Sequence, residues 1–299
     1  MVTDRDMVGV KPPDSGIARL RALSDLGARL IAANLPGHSP AQTIAQDMKL
    51  AMELQRSLQP GWDPNDLPIW GFNLPARQMS GDFFDFYRTA KGDFAFSLGD
   101  VSGKGMGAAL LMGKTVSLFR CLSKRIEDVA ELLTAINAEL CETATRGLFV
   151  TMVVGCYSPR DGHVRFANAG HEPPLMRCKD RTYKTFPADA PPLGILSNYD
   201  VRGEEIDLAG GESYVFSDGL TEYRYAGGEQ LGVDGLIQLV EINAAEPPAK
   251  RVEAIIQMLD EEAGWDAHDD LTVLAIDDSW VGQEGASVAT PPTRKEASG

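Results

Sequence analysis

From Trp62 onward the chain runs in short apolar segments separated by Pro or Gly turns, and they never settle into the strand, helix, strand alternation that a parallel sheet requires. The spacing predicts strands over 69–74, 83–87 and 94–98, then helices over 105–122 and 126–145. Strands follow over 149–157, 163–168, 174–178, 182–186, 201–208 and 213–216, then helices over 233–243 and 249–262, and a last strand over 271–276. Blocks of strands and helices in that order imply antiparallel sheets covered by helices, an α+β fold, and a four-layer α-β-β-α sandwich fits. The segment Pro159-Arg160-Asp161-Gly162 reads as a hairpin turn.

The stretch before Trp62 has a different period. Leu20, Leu23, Leu26 and Leu30 mark a helix ended by Pro36-Gly37. Ser39-Pro40 then opens a second helix, whose Ile44, Met48, Ala51, Leu54 and Leu58 form one face before Pro60-Gly61 stops it. Such a stripe packs on its own domain or pairs with another subunit, and the pattern leaves both open. The expected organisation is a disordered 1–16, a helical segment over 17–60 serving dimerisation or signal input, one folded domain over 61–280, and a disordered tail over 281–299.

A net charge of −15 removes the electrostatic case for nucleic acid or anionic membranes as partners. The start carries no apolar signal core, and the longest apolar run, 148–157, is too short to span a bilayer, so a cytoplasmic protein is expected. Cys121, Cys141, Cys156 and Cys178 form no CxxC pair and have no His at metal spacing. They read as small core residues in a reducing compartment.

Four acids share one local grammar, an Asp beside an apolar strand segment and a turn. They are Asp82 in Ser80-Gly81-Asp82, Asp100 after Phe94 to Gly99, Asp218 after Tyr214 to Ser217, and Asp269, next to Asp270, before Leu271. Strand ends in a packed sandwich can converge on one cleft. Each pair of carboxylates at about 4 Å would repel by roughly 1 kcal/mol even at the dielectric of water. Two divalent cations would balance the four charges, and an all-oxygen set suits Mg²⁺ or Mn²⁺ rather than zinc. Any one of these Asp residues taken alone is equally a turn residue, as Asp161-Gly162 and Asp234-Gly235 are expected to be.

Seven segments in order resemble the metal-dependent protein phosphatases of the PPM family (protein phosphatase type 2C), in their bacterial RsbU/SpoIIE-like branch. They are LQRSLQP at 54–60, PARQMSGDFFDFY at 75–87, LGDVSGKGMGAALLM at 98–112, FVTMVVGCYSPRDGHVRFANAGHEPPL at 149–175, PPLGIL at 191–196, FSDGLTEY at 216–223 and DDLTVLAI at 269–276. The resemblance implies two antiparallel sheets flanked by helices and a site for two Mn²⁺ or Mg²⁺ ions. Its ligands would be Asp82, Asp100, the backbone carbonyl of Val101, Asp218 and Asp269, with Asp85 as a further acid. It implies hydrolysis of phosphoserine or phosphothreonine in a protein, with a small anti-sigma-factor antagonist as the usual substrate and partner switching as the outcome.

The motifs contain no Ser-His-Asp or Cys-His arrangement, so water activated by the cations is the expected nucleophile. The eukaryotic relatives carry a His two positions after the second-motif Asp. Here Ser102 stands there, which leaves the general acid unassigned. Arg77 is a candidate phosphate clamp. Gly103, Gly105 and Gly107 with Lys104 lack the nucleotide-loop pattern and read as a tight turn into a helix. His171 reads as a strand-end hydrogen-bonding group, and His268 could orient a ligand. With some 60 residues before the domain, too few for a full sensor, the signal is expected to act through residues 40–60 on the 105–122 helix, by homodimerisation or another protein. The competing functions are a non-catalytic binding module of the same fold and a small-molecule phosphomonoesterase.

Overall fold

A computed structural model describes residues 40–60, 67–76, 79–143, 147–225, 227–263 and 269–279. Helix α1 (Pro40–Leu58) leads into β1 (Ile69–Leu74), β2 (Phe83–Arg88) and β3 (Phe94–Val101), then α2 (Met106–Leu122) and α3 (Val129–Glu142). Next come β4 (Val150–Ser158), β5 (His163–Ala169), β6 (Leu175–Arg177), β7 (Tyr183–Thr185), β8 (Glu204–Asp207) and β9 (Glu212–Phe216). A one-turn helix α4 (Asp218–Thr221), helices α5 (Gly232–Ile242) and α6 (Pro248–Ala263), and β10 (Leu271–Asp277) complete the described chain.

The strands form two five-stranded sheets, ordered β1-β10-β9-β6-β7 and β2-β3-β4-β5-β8, and every pairing is antiparallel. Side-chain alternation explains how the layers stack. On β4, Val150, Met152 and Val154 face α2 and α3, while Val153 and Tyr157 face the other sheet. On β10, Leu274 and Ile276 enter the space between the sheets, while Leu271, Val273 and Ala275 meet α5 and α6. Burial on both faces is why β4 and β10 read as continuous apolar runs. Three apolar layers therefore bind four structural ones.

Several boundaries differ from expectation for local reasons. The second central helix starts at Val129 rather than residue 126, because the Asp128 carboxylate accepts from the Glu131 amide (2.8 Å) and caps it. Asp161-Gly162 is a turn, with Gly162 at φ 73° and its amide donating to the Ser158 carbonyl (2.9 Å). Asp234-Gly235 is not; it lies in the first turn of α5, where a carboxylate meets the positive end of the helix dipole. The cysteines are free but are not core residues: Cys121 is exposed and the other three are half-buried. The expected helix over 17–35 and both expected tails lie outside the described residues. Among the described residues, no helix is long and apolar enough to cross a membrane.

Candidate metal centre

Each sheet contributes two of the acids singled out in the sequence. Asp82 immediately precedes β2 and Asp100 is the last residue but one of β3, both in one sheet. Asp218 follows β9 as the first residue of α4, and Asp269 precedes β10, both in the other sheet. The β9–β10 ladder runs on past its strands, since the Ser217 amide donates to the Thr272 carbonyl (2.9 Å) and the Thr272 amide donates to Ser217 Oγ (2.9 Å). That pairing sets Asp218 beside the Asp269-Asp270 corner. Gly219 is obligatory there, because a methyl group on it would collide with the Asp270 carbonyl. Across the seam between the sheets, the Thr272 hydroxyl donates to Asp82 Oδ2 (2.7 Å).

Ala76, Met79, Gly81, Asp100, Val101, Gly103, Lys104, Asp269 and Asp270 line a cleft at this seam. A Cβ on Gly81 would lie 3.0 Å from the Val101 carbonyl oxygen and 3.1 Å from Asp100 Oδ1, so the glycine keeps open a hollow bounded by those two oxygens. Burial, then the charge of Asp100, holds the Asp82 carboxyl well above the usual carboxylate range. Burial and the Asp218 charge push Asp100 up to about 6, with Asp269 and Asp270 adding to the rise and a hydrogen bond with Asp82 opposing it. Asp218 is raised by burial, Asp269 and Glu222. These shifts share a cause: anionic groups are gathered where water cannot fully screen them.

Asp269 and Asp270 have different partners. Asp270 Oδ1 accepts from the Ala76 amide (2.7 Å), and its Oδ2 accepts from the Gly81 amide (2.8 Å) and the Ser80 hydroxyl (2.9 Å). Asp270 therefore pins the loop that carries Asp82. Asp269 Oδ2 instead meets Lys104 Nζ at 3.2 Å, both side chains being about half exposed. Asp85 is not part of the cluster. It is fully buried on β2 and forms a forked ion pair with Arg120 of α2, so the expectation of Asp85 as a further metal acid does not fit its position. Arg77 and His268 lie outside the described residues.

Ser102 takes the place of the relatives' His and extends the β3–β4 hairpin: its amide donates to the Phe149 carbonyl (2.9 Å) and its Oγ accepts from the Phe149 amide (2.8 Å). His171 is buried, with Nδ1 2.8 Å from the hydroxyl of Thr151, the residue opposite Asp100 in the β3–β4 register. Burial pulls its pKa down to about 4, so the ring is neutral near pH 7. Its ring bonds the Thr151 hydroxyl, the strand-end hydrogen-bonding use expected of it. Sequence reasoning missed Glu172, whose pKa is raised by burial and by Asp218, and Thr272, Ser217 and Ser80, which orient the acids. Their signal was adjacency to the motif acids, which hydroxyl residues at so many strand ends share.

The donors fit hard divalent cations: carboxylate and carbonyl oxygens, an open hollow at Gly81, and mutually repelling anions with one described cation, Lys104, on the cleft lining. Among the described residues, no three acids, histidines or cysteines are already drawn together as a closed ligand cage. Asp82, Asp100, Val101, Asp218 and Asp269 are the groups that would close on the ions.

A model of the stage II sporulation protein E (SpoIIE) family matches residues 90–277. The chain is 29% identical over 239 residues to the phosphoserine phosphatase RsbU of Bacillus subtilis, a match covering 79% of this chain and 71% of RsbU. Its fold superposes on the SiaA-PP2C domain of Pseudomonas aeruginosa with a TM-score of 0.70 at 19% identity, over 80% of this chain and 99% of that one. The RsbU and RsbW domains of a Mycobacterium tuberculosis protein align with a TM-score of 0.59 at 24% identity, over 72% of this chain and 63% of that one. The two antiparallel sheets and their helical covers are thus the PP2C fold.

Proposed function

The chain belongs to the SpoIIE family, and from that premise we propose that it is a metal-dependent phosphoserine/phosphothreonine protein phosphatase acting on a small anti-sigma-factor antagonist in a partner-switching pathway. The observation that carries this reading is that Asp82 and Asp100 beside one sheet and Asp218 and Asp269 beside the other lie close enough to raise one another's pKa, Asp82 with Asp100, Asp100 with Asp218 and Asp269, and Asp218 with Asp269. Two Mn²⁺ or Mg²⁺ ions held there would supply a nucleophilic water near neutral pH and offset charge on the phosphoryl oxygens.

The chain's own residues do the rest. Asp82, Asp100, Asp218 and Asp269 bind, with the Val101 carbonyl beside Asp100. Thr272 orients Asp82, and Asp270 accepts from the amides of Ala76 and Gly81, the latter next to Asp82. Lys104, paired to Asp269, stands on the cleft wall and brings positive charge to the rim where an anionic substrate enters. Arg77 remains the proposed phosphate clamp. RsbU is a phosphoserine phosphatase, and in the M. tuberculosis protein RsbU and RsbW domains occur together; both support a protein substrate within such a pathway.

The test is phosphate release from a phosphoserine protein and from an aryl phosphate, with Mn²⁺ or Mg²⁺ and with a chelator. Metal-dependent release from the phosphoprotein is expected. Release only from the small ester would favour a small-molecule phosphomonoesterase, and no release from either would favour a binding module.

We further propose that residues 17–60 are the input segment of a catalytic domain over 61–280, through α1. The Gln55 side chain donates to the Ser80 carbonyl (2.6 Å) and accepts from the Ser80 amide (3.2 Å), two residues before Asp82. Gln59 donates to Asn73 Oδ1 (3.2 Å), and Asn73 donates to Thr272 Oγ1 (2.6 Å), the hydroxyl that holds Asp82. Leu58 packs under Gly113 of α2, and Leu54 is left exposed for a second copy or another protein. Removal of residues 1–60 is expected to lower turnover at least tenfold, on the order of 1.4 kcal/mol, and to abolish self-association in sedimentation. Full activity in a truncated chain, with a full-length monomer at high concentration, would rule this input role out.

A further inference from the structure

Seven large apolar side chains are exposed among the described residues, and four of them, Met106, Leu110, Ile195 and Leu196, belong to two segments that approach each other through Leu148. Exposed apolar residues scattered singly are ordinary; four around one hub are a patch. Met106 and Leu110 are one turn apart on α2, so they share a face. Ile195 and Leu196 follow Leu193, whose amide and carbonyl bond back to Val150 (2.7 and 3.0 Å). Leu148 joins the two pairs. Its side chain would meet a methyl group on Gly103 at 3.4 Å or on Gly107 at 3.8 Å, and its carbonyl lies 3.8 Å from one on Gly194.

This shelf is rigidly held. Asn137 of α3 accepts from the Gly194 amide (2.9 Å) and donates to the Leu196 carbonyl (2.8 Å), while Lys114 of α2 bonds to the Glu139 carbonyl (2.7 Å). A fixed backbone that presents Leu110 at 68% exposure and Ile195 at 52% leaves apolar area that a partner's side chains would remove from water.

We propose that this shelf docks the phosphorylated protein substrate by receiving apolar side chains that flank its phosphorylated residue, an inference that rests on the phosphatase reading above. Continuity with the cleft is the main argument. Gly103 and Lys104 line the cleft, and Met106 opens the helix that leads away from them. At 1.5 Å per residue Leu110 lies about 6 Å along the axis beyond Met106, which an extended chain covers in roughly two residues. The charge argument agrees: a protein of net charge −15 with an acidic cleft gains little from general attraction to a phosphorylated partner, so apolar burial has to supply the adhesion.

The probe is the phosphoserine form of a small anti-sigma-factor antagonist, compared with an aryl phosphate that reaches the cleft alone. Leu110→Lys and Ile195→Lys are each expected to raise KM for the phosphoprotein about tenfold, equivalent to about 1.4 kcal/mol, and to leave the aryl phosphate within about twofold. Ile242→Lys, equally exposed at 68% but on α5 against the other sheet, is the control and is expected to change neither. Unchanged phosphoprotein KM in both shelf variants overturns the proposal, as does equal loss on both substrates or a dimer in sedimentation that the shelf variants dissociate. Calorimetric titration of the phosphoprotein into the unmodified and Leu110→Lys chains tests the shelf without turnover. If the unmodified chain hydrolyses neither substrate, the phosphatase reading fails and that titration still decides the docking.

Discussion

Replacing Asp218 by asparagine is expected to lower metal-dependent phosphate release about a thousandfold, equivalent to about 4 kcal/mol, while the protein stays folded. Asparagine matches aspartate in size and can still accept from the Gly219 amide, so α4 and its close approach to Asp270 survive. What is lost is one negative charge from a group already raised by burial and by Asp269. Without metal, that loss relieves repulsion, so the variant is expected to melt no lower than the unmodified chain. With metal the order reverses. A cation at a hundred times its dissociation constant adds about 2.7 kcal/mol to the unmodified chain, or about 5 to 10 °C in Tm, and the variant is expected to gain far less. Scanning fluorimetry with and without Mn²⁺, beside a phosphate assay, checks both arms. Activity within tenfold of the unmodified chain would remove Asp218 from the metal set.

Arg251→Met is expected to be the most destabilising single change far from the cleft, at about 3 to 5 kcal/mol. Arg251 of α6 is buried, forms an ion pair with Glu212 at the start of β9, and donates to the Tyr214 hydroxyl (2.6 Å). Its remaining donors reach the carbonyls of Asn243 (3.2 Å), Ala244 (3.3 Å) and Glu246 (2.9 Å), closing the α5–α6 turn. Methionine fills much of the volume but leaves Glu212 charged and buried, with Arg177 at 3.4 Å as its remaining basic partner. A denaturant titration measures the loss. The double variant Glu212→Gln/Arg251→Met should recover part of it, because the stranded charge is gone; no recovery would place the cost in the turn carbonyls.

The sandwich was legible in the sequence because its strands are short, punctuated by Pro or Gly and alternately apolar, and because their order has no βαβ rhythm. The site was less so. Asp82, Asp100, Asp218 and Asp269 each look like turn residues, and only their ordered motifs singled them out. Asp85 shows the limit: it sits three residues after Asp82 in the same motif, yet its carboxylate turns to Arg120, 35 residues away in the chain. The pairing of Asp270 with the amides of Ala76 and Gly81 was equally invisible, since it joins positions nearly 200 residues apart. The cysteines misled because frequent burial elsewhere does not decide the depth of a given position: Cys121 and Cys141 lie in the last turns of their helices, and Cys156, on the interior strand β4, is only half-buried. Patterns along a chain report which face is apolar; they do not report which distant group arrives to meet a charge.

Strand β1 has one hydrogen-bonded neighbour, β10, along its whole length from Ile69 opposite Ile276 to Leu74 opposite Leu271. On the ribosome the first strand therefore waits for the last. At 5 to 20 residues per second, about 10 to 40 s pass between their synthesis. Asp269, Asp270 and Thr272 emerge with the final strand, so the loop before Asp82 has no carboxylate to close on until translation is nearly over. A chain that ends before residue 271 lacks the strand that pairs with β1 and the Thr272 hydroxyl that bonds to Asp82, and on the metal-site reading proposed above it is expected to release no phosphate.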